Sequence, residues 1–275
     1  MRIARTLPEL RSALPSSRAI TLVPTMGNLH AGHLSLVQRA RERGGLVAAS
    51  IFVNPLQFGA NEDFATYPRT FDRDCDLLSQ GGCDVVFAPD EATMYPEPQE
   101  CKVAPPERLA NILEGAVRPG FFVGVCTVVS KLFNMVQPAA AMFGKKDYQQ
   151  LRVIQTMTRQ LALPVEIVPG ETVRGSTGLA LSSRNSYLTE AERAEAPRLH
   201  AAIGDVAAAL RAGHTDWQTL ERDAMRILAG RGWQPDYIAI RTQSLDLPSA
   251  GAPLVVLAAA RLGRTRLIDN VEVPG

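Results

Sequence analysis

Cysteine is scarce in this chain: Cys75, Cys83, Cys101 and Cys126 are the only four in 275 residues. No pair has a Cys-x-x-Cys or other zinc spacing, and so few cysteines are no disulfide scaffold for a chain this long. Reduced thiols in a cytoplasmic protein are the expectation. Histidine is equally rare, with four. His200 and His214 lie in helical segments far along the chain from His30 and His33, which leaves too few in one place for a zinc site. An excess of one charge is also missing. Lys and Arg number 29 against 28 Asp and Glu, a net charge of +1, which argues against a general nucleic-acid binder but allows a local cationic pocket. The longest apolar stretches, Phe121–Val129 and Leu254–Ala260, fall well short of the ~20 residues that span a bilayer. The opening Met-Arg-Ile-Ala-Arg-Thr-Leu-Pro has no apolar core of a signal peptide. What remains is 46% apolar and 21% charged, a composition that builds one large domain or two modest ones.

Short apolar runs alternate with helical periods from Ala19 to Val168. Strands are expected at Ile20–Val23, Leu46–Val53, Asp84–Ala88, Ala139–Phe143 and Val165–Val168. Helices are expected at His33–Arg43, Phe71–Ser79, Val125–Val136 and Asp147–Leu161, with Pro89–Pro106 as loop. Continuous apolar strands alternating with helices predict an α/β fold, a Rossmann-like doubly wound parallel sheet. Ligands of such sheets sit beyond the carboxyl ends of the strands. After Pro169 the pattern changes. A Gly-, Ser- and Thr-rich loop precedes a capping box, Thr189-Glu190-Ala191-Glu192, opening a helix towards Gly213. A helix at Trp217–Leu228 and strands at Tyr237–Arg241, Leu254–Ala259 and Thr265–Ile268 complete a smaller α+β unit. The expected domains are 1–173 and 174–275, with the boundary in the Val173–Gly178 loop.

Four clusters and a pair of acids could carry chemistry. His30-Ala31-Gly32-His33 stands between the first strand and the first helix, where unpaired N–H groups and the helix dipole favour an anion such as phosphate. Two structural histidines capping a turn, or half a metal site, are the other readings. Asn54 and Gln57 leave the second strand, where carboxamides can bind a polar ligand or simply hold the loop. Gly144-Lys145-Lys146-Asp147 follows the fourth strand, with Gln150 sharing a helix face with Asp147. Ser182-Ser183-Arg184 puts two hydroxyls and a guanidinium on the interdomain loop, which suits a triphosphate gripped on closure or an ordinary linker. Asp72 and Asp74 open the third helical segment, where they could hold magnesium or favour the helix start.

Pro24-Thr25-Met26-Gly27-Asn28-Leu29-His30-Ala31-Gly32-His33-Leu34 resembles the signature of the pantothenate synthetase (pantoate–β-alanine ligase) family, a branch of the HxGH nucleotidyltransferases. The resemblance continues through Ile51–Phe58, Tyr67–Thr70, Met94-Tyr95-Pro96, Phe143–Leu151 and Leu179–Asn185. It implies an ATP-binding Rossmann-like domain, a C-terminal lid and a homodimer with no nucleic-acid or membrane partner. It also implies a two-step reaction, in which pantoate attacks the α-phosphate of ATP to give pantoyl adenylate and β-alanine then displaces AMP. By this resemblance His30, His33, Lys146 and Arg184 are catalytic. The ATP-binding set adds Met26, Gly144, Asp147 (ribose), Val173, Ser182 and Ser183. Met26, Asn54, Gln57 and Gln150 bind pantoate, and Asp74 is a magnesium-associated acid.

The chain departs from the family pattern at four positions. Phe121 stands for a histidine, Lys145 and Gly175 for glutamates, and Thr177 for an aspartate. The local charge rises by two at Lys145 and by one at each of the last two, and such a change near a charged pocket shifts ligand preference. The alternative is therefore a paralogous adenylate-forming amide ligase with another acid or amine. A nucleotidyltransferase for a phosphorylated acceptor and a non-catalytic ATP-binding protein are more distant readings.

Overall fold

The computed structural model of the chain describes residues 1–14, 19–59 and 62–275. It divides into two compact units, one of Met1–Lys145 and Val153–Glu171, the other of Lys146–Arg152 and Thr172–Gly275. The expected division after residue 173 and the observed one differ at Lys146–Arg152 and at Thr172 and Val173. Lys146–Arg152 groups with the second unit, where Asn270 Nδ2 donates to the Lys146 carbonyl (3.0 Å) and Tyr148 Oη lies 3.3 Å from the Gln243 carbonyl.

The first unit holds a six-stranded sheet. Its strands are β1 (Arg2–Ala4), β2 (Ile20–Thr25), β3 (Leu46–Ile51), β4 (Val85–Phe87), β5 (Ala140–Gly144) and β6 (Glu166–Gly170), in the order β1-β4-β3-β2-β5-β6. Every pairing is parallel. β3 is buried at five of its six residues, which is why it reads as an unbroken apolar run. On one face Val23, Val47 and Val86 pack with Leu36, Val37 and Ala40 of the Ala31–Glu42 helix and Leu78 of the Phe71–Gln80 helix. From β2 the chain passes to β3 and β4 on one side, then returns to β5 on the other. The strand order therefore reverses between β2 and β5, the position beyond whose carboxyl ends sheets of this kind bind their ligands.

The second unit holds an antiparallel sheet of β7 (Gln234–Thr242), β8 (Leu254–Leu262) and β9 (Thr265–Val273). The Arg198–Arg211 and Trp217–Ala229 helices bury Leu199, Ile203, Val206 and Leu228 with Trp233, Ile240 and Val256.

Several boundaries differ from expectation. β1 adds a sixth strand to the five expected, because three edge residues are too few to show a period. A helix at Leu7–Ala13 was not expected either, although Thr6 and Glu9 form its capping box. The single helix from Thr189 towards Gly213 is two, Glu190–Glu195 and Arg198–Arg211, with the break at Pro197. The Pro89–Pro106 loop contains a helical turn, Glu91–Met94, capped by Asp90. Cys75, Cys83, Cys101 and Cys126 are all free thiols, and burial holds Cys83 and Cys126 protonated with pKa values raised to about 12. No helix among the described residues is long and apolar enough to cross a membrane.

Candidate active site

The chain leaves β2 through a tight reversal. Gly27 and Asn28 both take positive φ, 81° and 48°, the left-handed conformation that glycine and asparagine tolerate best. A Cβ on Gly27 would lie 3.0 Å from Asp74 Oδ2 and 3.2 Å from Ile51 Cγ2, so this position needs glycine for space as well. Thr25 ties the strand end down, its hydroxyl donating to the Ser50 carbonyl at 2.6 Å and accepting from Gly27 N–H at 3.2 Å. Asp74 holds the reversal from the Phe71–Gln80 helix. It is fully buried and accepts from Asn28 N–H (2.8 Å), Leu29 N–H (2.8 Å) and the Thr70 hydroxyl (3.0 Å).

The reversal delivers His30 to the N-cap of the Ala31–Glu42 helix, earlier than the start expected near His33. The two histidines form a capping box of imidazoles. His30 Nδ1 accepts from Gly32 N–H at 3.1 Å, and His33 Nδ1 accepts from His30 N–H at 3.3 Å. The ring centroids are 4.1 Å apart. A ring nitrogen that accepts from a backbone N–H has its lone pair there, so the neutral ring carries its proton on Nε2. The capping and anion-binding readings of this motif are thus compatible: Nδ1 builds the turn and Nε2–H is the donor, at the positive end of a helix.

At the end of β3, beside β2, a second group assembles. Asn54 is buried (1% exposed). Its Nδ2 donates to Gln57 Oε1 (3.1 Å) and to the Gly124 carbonyl (3.2 Å). Its Oδ1 accepts from Leu56 N–H (3.3 Å) and from Tyr95 Oη (2.7 Å). Gln57 Nε2 reaches Met26 Sδ at 3.1 Å. The structure therefore brings together Met26, Asn54 and Gln57 as expected, and adds Tyr95, to which sequence reasoning gave no role. Gly124 allows the close approach of the Phe121–Val136 helix, since a Cβ there would collide with the Leu56 carbonyl. Arg118 reinforces the same turn: Nη2 donates to the Gln57 carbonyl (3.1 Å), Nε and Nη2 bind Glu62 (both 2.6 Å), and the guanidinium lies 3.7 Å from the centroid of Phe121. Phe121, where the resembled family has histidine, is a platform for Arg118.

β5 ends at Gly144, where a Cβ would meet nothing within 4 Å. Lys145 pairs with Glu171 at 2.8 Å, so the cation gained there has a matching anion. In the second unit Lys146 and Asp147 lie on a 3-10 turn leading into the Tyr148–Gln160 helix, with Nζ and Oδ2 3.5 Å apart. Gln150 is half-buried on that helix. Tyr148 accepts from Arg152 at 2.8 Å and donates to Glu272 at 3.1 Å, and burial raises its pKa to about 12.

The Ser182–Arg184 segment is a capped 3-10 turn. Ser182 Oγ accepts from Arg184 N–H at 3.3 Å, which leaves a hydroxyl its own proton to donate. Buried Asn185 anchors the turn to the Ala180 carbonyl at 3.0 Å. The preceding loop closes on itself, with Leu181 N–H on the Val173 carbonyl (2.9 Å) and Gly175 N–H on the Leu179 carbonyl (2.9 Å). Arg174 pins it to buried Asp269 with two bonds of 2.6 and 2.8 Å, and His200 Nδ1 lies 3.3 Å from the same carboxylate. Burial pushes the Asp269 pKa up, but Arg174 and His200 more than offset it and hold the group below the usual carboxylate value.

Asp74 does not fit its expected association with magnesium. Both of its oxygens are taken by protein donors and the side chain is sealed from solvent. Among the described residues no group of three or more His, Cys, Asp or Glu could hold a metal ion.

Comparison with known proteins bears directly on this arrangement. The family model for pantoate-beta-alanine ligase matches residues 2–272. A pantothenate synthetase of Leptothrix cholodnii is 56% identical, over 99% of this chain and all of that protein. A crystal structure of pantothenate synthetase from Thermus thermophilus superposes with a TM-score of 0.93 at 46% identity, covering both chains fully. A pantoate-beta-alanine ligase from Francisella tularensis, complexed with β-γ ATP and β-alanine, gives a TM-score of 0.81 at 33% identity over 99% of this chain and 97% of that one.

Proposed function

The chain belongs to the pantoate-beta-alanine ligase family, and from that premise we propose that it condenses pantoate with β-alanine in two ATP-dependent steps. In the first, a carboxylate oxygen of pantoate attacks the α-phosphorus of ATP, and the bond to the β-phosphate oxygen breaks. Pantoyl adenylate forms and pyrophosphate leaves. In the second, the neutral amine of β-alanine attacks the acyl carbon, AMP departs with the bonding electrons, and the amine loses a proton. The Francisella relative, complexed with β-γ ATP and β-alanine, supports both co-substrates.

One observation carries the reading: the pair of histidines whose Nδ1 atoms build the helix cap. Each neutral ring is thereby set as an Nε2–H donor at the positive end of a helix, where charge develops on the departing pyrophosphate. Fixed donors of this kind stabilise such charge without reorganising during the reaction. Lys146 and Arg184 add cationic donors for the phosphates, Asp147 accepts from the ribose, and Ser182 and Ser183 donate hydroxyls. Gly144 and Val173 border the nucleotide. Met26, Asn54, Gln57 and Gln150 receive pantoate, whose hydroxyls match carboxamides. We assign no residue to magnesium; the divalent ion would arrive as the counter-ion of the triphosphate. The ion pair of Lys145 with Glu171 matches the new cation with one carboxylate, so part of the charge that motivated another acid or amine is offset locally. The proposal extends to a homodimer in the cytoplasm, which light scattering and cell fractionation test.

Pantoate-dependent exchange of labelled pyrophosphate into ATP tests the first step, and mass analysis after adding β-alanine tests the second. His33→Ala is expected to abolish the exchange. Absence of exchange with pantoate would overturn the adenylate, and near-normal exchange in the variant would remove the phosphate role of the histidine.

A further inference from the structure

We propose that Tyr95 is a positioning residue that, acting through buried Asn54, holds the Gln57 carboxamide with its NH2 group as the donor to the acid substrate. The inference rests on the reading of Gln57 as a pantoate-binding residue and names what sets its specificity. The polarity of the chain follows from groups that cannot exchange roles. Leu56 N–H can only donate, so the Asn54 atom that meets it at 3.3 Å is the oxygen. The Gly124 carbonyl can only accept, so the atom that meets it at 3.2 Å is the nitrogen. With Asn54 oriented, Tyr95 must donate to its oxygen at 2.7 Å and Gln57 must accept at Oε1 from its nitrogen at 3.1 Å. The other end of the Gln57 amide is therefore NH2, the end found 3.1 Å from Met26 Sδ.

The Tyr95 bond is the shortest of the four on Asn54. The phenol is a dependable donor: burial raises its pKa further above its ordinary value, so the proton is present throughout the working range. The ring is fixed by Phe52, with centroids 6.0 Å apart, and by Lys131 Nζ, 4.9 Å from its centroid. A donor amide in that place demands an oxygen acceptor from the substrate. An analogue with hydrogen in place of the matching hydroxyl leaves the NH2 unpaired and is rejected.

The test is Tyr95→Phe, which keeps the ring packing and removes the proton, with a thermal melt to verify the fold. The pantoate KM is expected to rise about fivefold, the size of one neutral hydrogen bond. kcat and the KM values of ATP and β-alanine are expected to stay within about twofold. Two pantoate analogues, each lacking one hydroxyl, supply the second readout. Discrimination against one of them is expected to fall in the variant by a similar factor, while discrimination against the other is unchanged. An unchanged pantoate KM in Tyr95→Phe, or a rise shared by all three substrates, would overturn the positioning role alone. Failure of the wild-type protein to use pantoate would overturn the functional reading and this inference with it.

Discussion

Asp74 offers a sharp test because its two readings predict different outcomes for one substitution. If the carboxylate is a loop anchor, as its three bonds to Asn28 N–H, Leu29 N–H and the Thr70 hydroxyl indicate, then Asp74→Asn damages the fold. The asparagine has two orientations and neither works. With its NH2 at the Oδ2 position it confronts Asn28 N–H, and with its NH2 at Oδ1 it confronts Leu29 N–H. One buried backbone donor is orphaned either way, which costs roughly 1–3 kcal/mol. The surviving backbone bond changes from charge-assisted to neutral and loses about half its strength. The expected destabilisation is about 2–4 kcal/mol, read as a shift in the urea midpoint at unchanged slope. The same change loosens the reversal that delivers His30, and displacement of a catalytic group by about 1 Å costs on the order of a hundredfold in rate. Exchange activity should therefore fall while its magnesium dependence keeps the same midpoint. An unchanged urea midpoint together with a large rise in the magnesium concentration needed for activity would refute the anchor and restore the ligand.

Other perturbations probe neighbouring parts of the structure. Gly27→Ala places a Cβ at positive φ and 3.0 Å from Asp74 Oδ2, so a loss of about 1–2 kcal/mol is expected by thermal melting; full stability would show that the reversal relaxes freely. Gly124→Ala pushes the Phe121–Val136 helix off the Leu56 carbonyl and should cost about 1–3 kcal/mol. It should also raise the pantoate KM, because Gln57 rides on the same turn. The carboxyl of Asp269 has a folded pKa below its unfolded value, so its stabilising contribution is full above the unfolded value near 4 and disappears as pH falls through the folded one. Asp269→Asn should cost about 3–5 kcal/mol near neutrality by stranding Arg174, and should flatten the acid limb of the stability curve. An acid limb identical to wild type would exclude Asp269 as its source.

The sequence shows its buried parallel strands plainly and its short-range devices unevenly. β3 reads as a strand because a parallel sheet covered on both faces leaves no polar positions to interrupt it. β1 has only one buried residue of three and pairs with β4 across more than 80 residues of chain, so no local period betrays it. The Thr6–Glu9 capping box and Pro197 were both visible signals, one for a helix and one for a break. Both are short and stand beside segments whose apolar pattern is much stronger. At the site, His30 and His33 stand out because both the turn and its cap lie within four residues. Tyr95 does not, and Asp74 stands out as an acid but not as an anchor, because their partners Asn54 and Leu29 are 41 and 45 residues away. What the topology adds is adjacency. The strand order reverses between β2 and β5, the position at which sheets of this kind bind ligands, and the pairing of β2 with β3 sets the turn bearing Gln57 beside the end of β2. The residues proposed to contact ligands are legible from their place at strand ends and from the family motif they resemble. The residues that orient them become visible only when the chain has folded, because their effect depends on which end of an amide or carboxylate is already engaged.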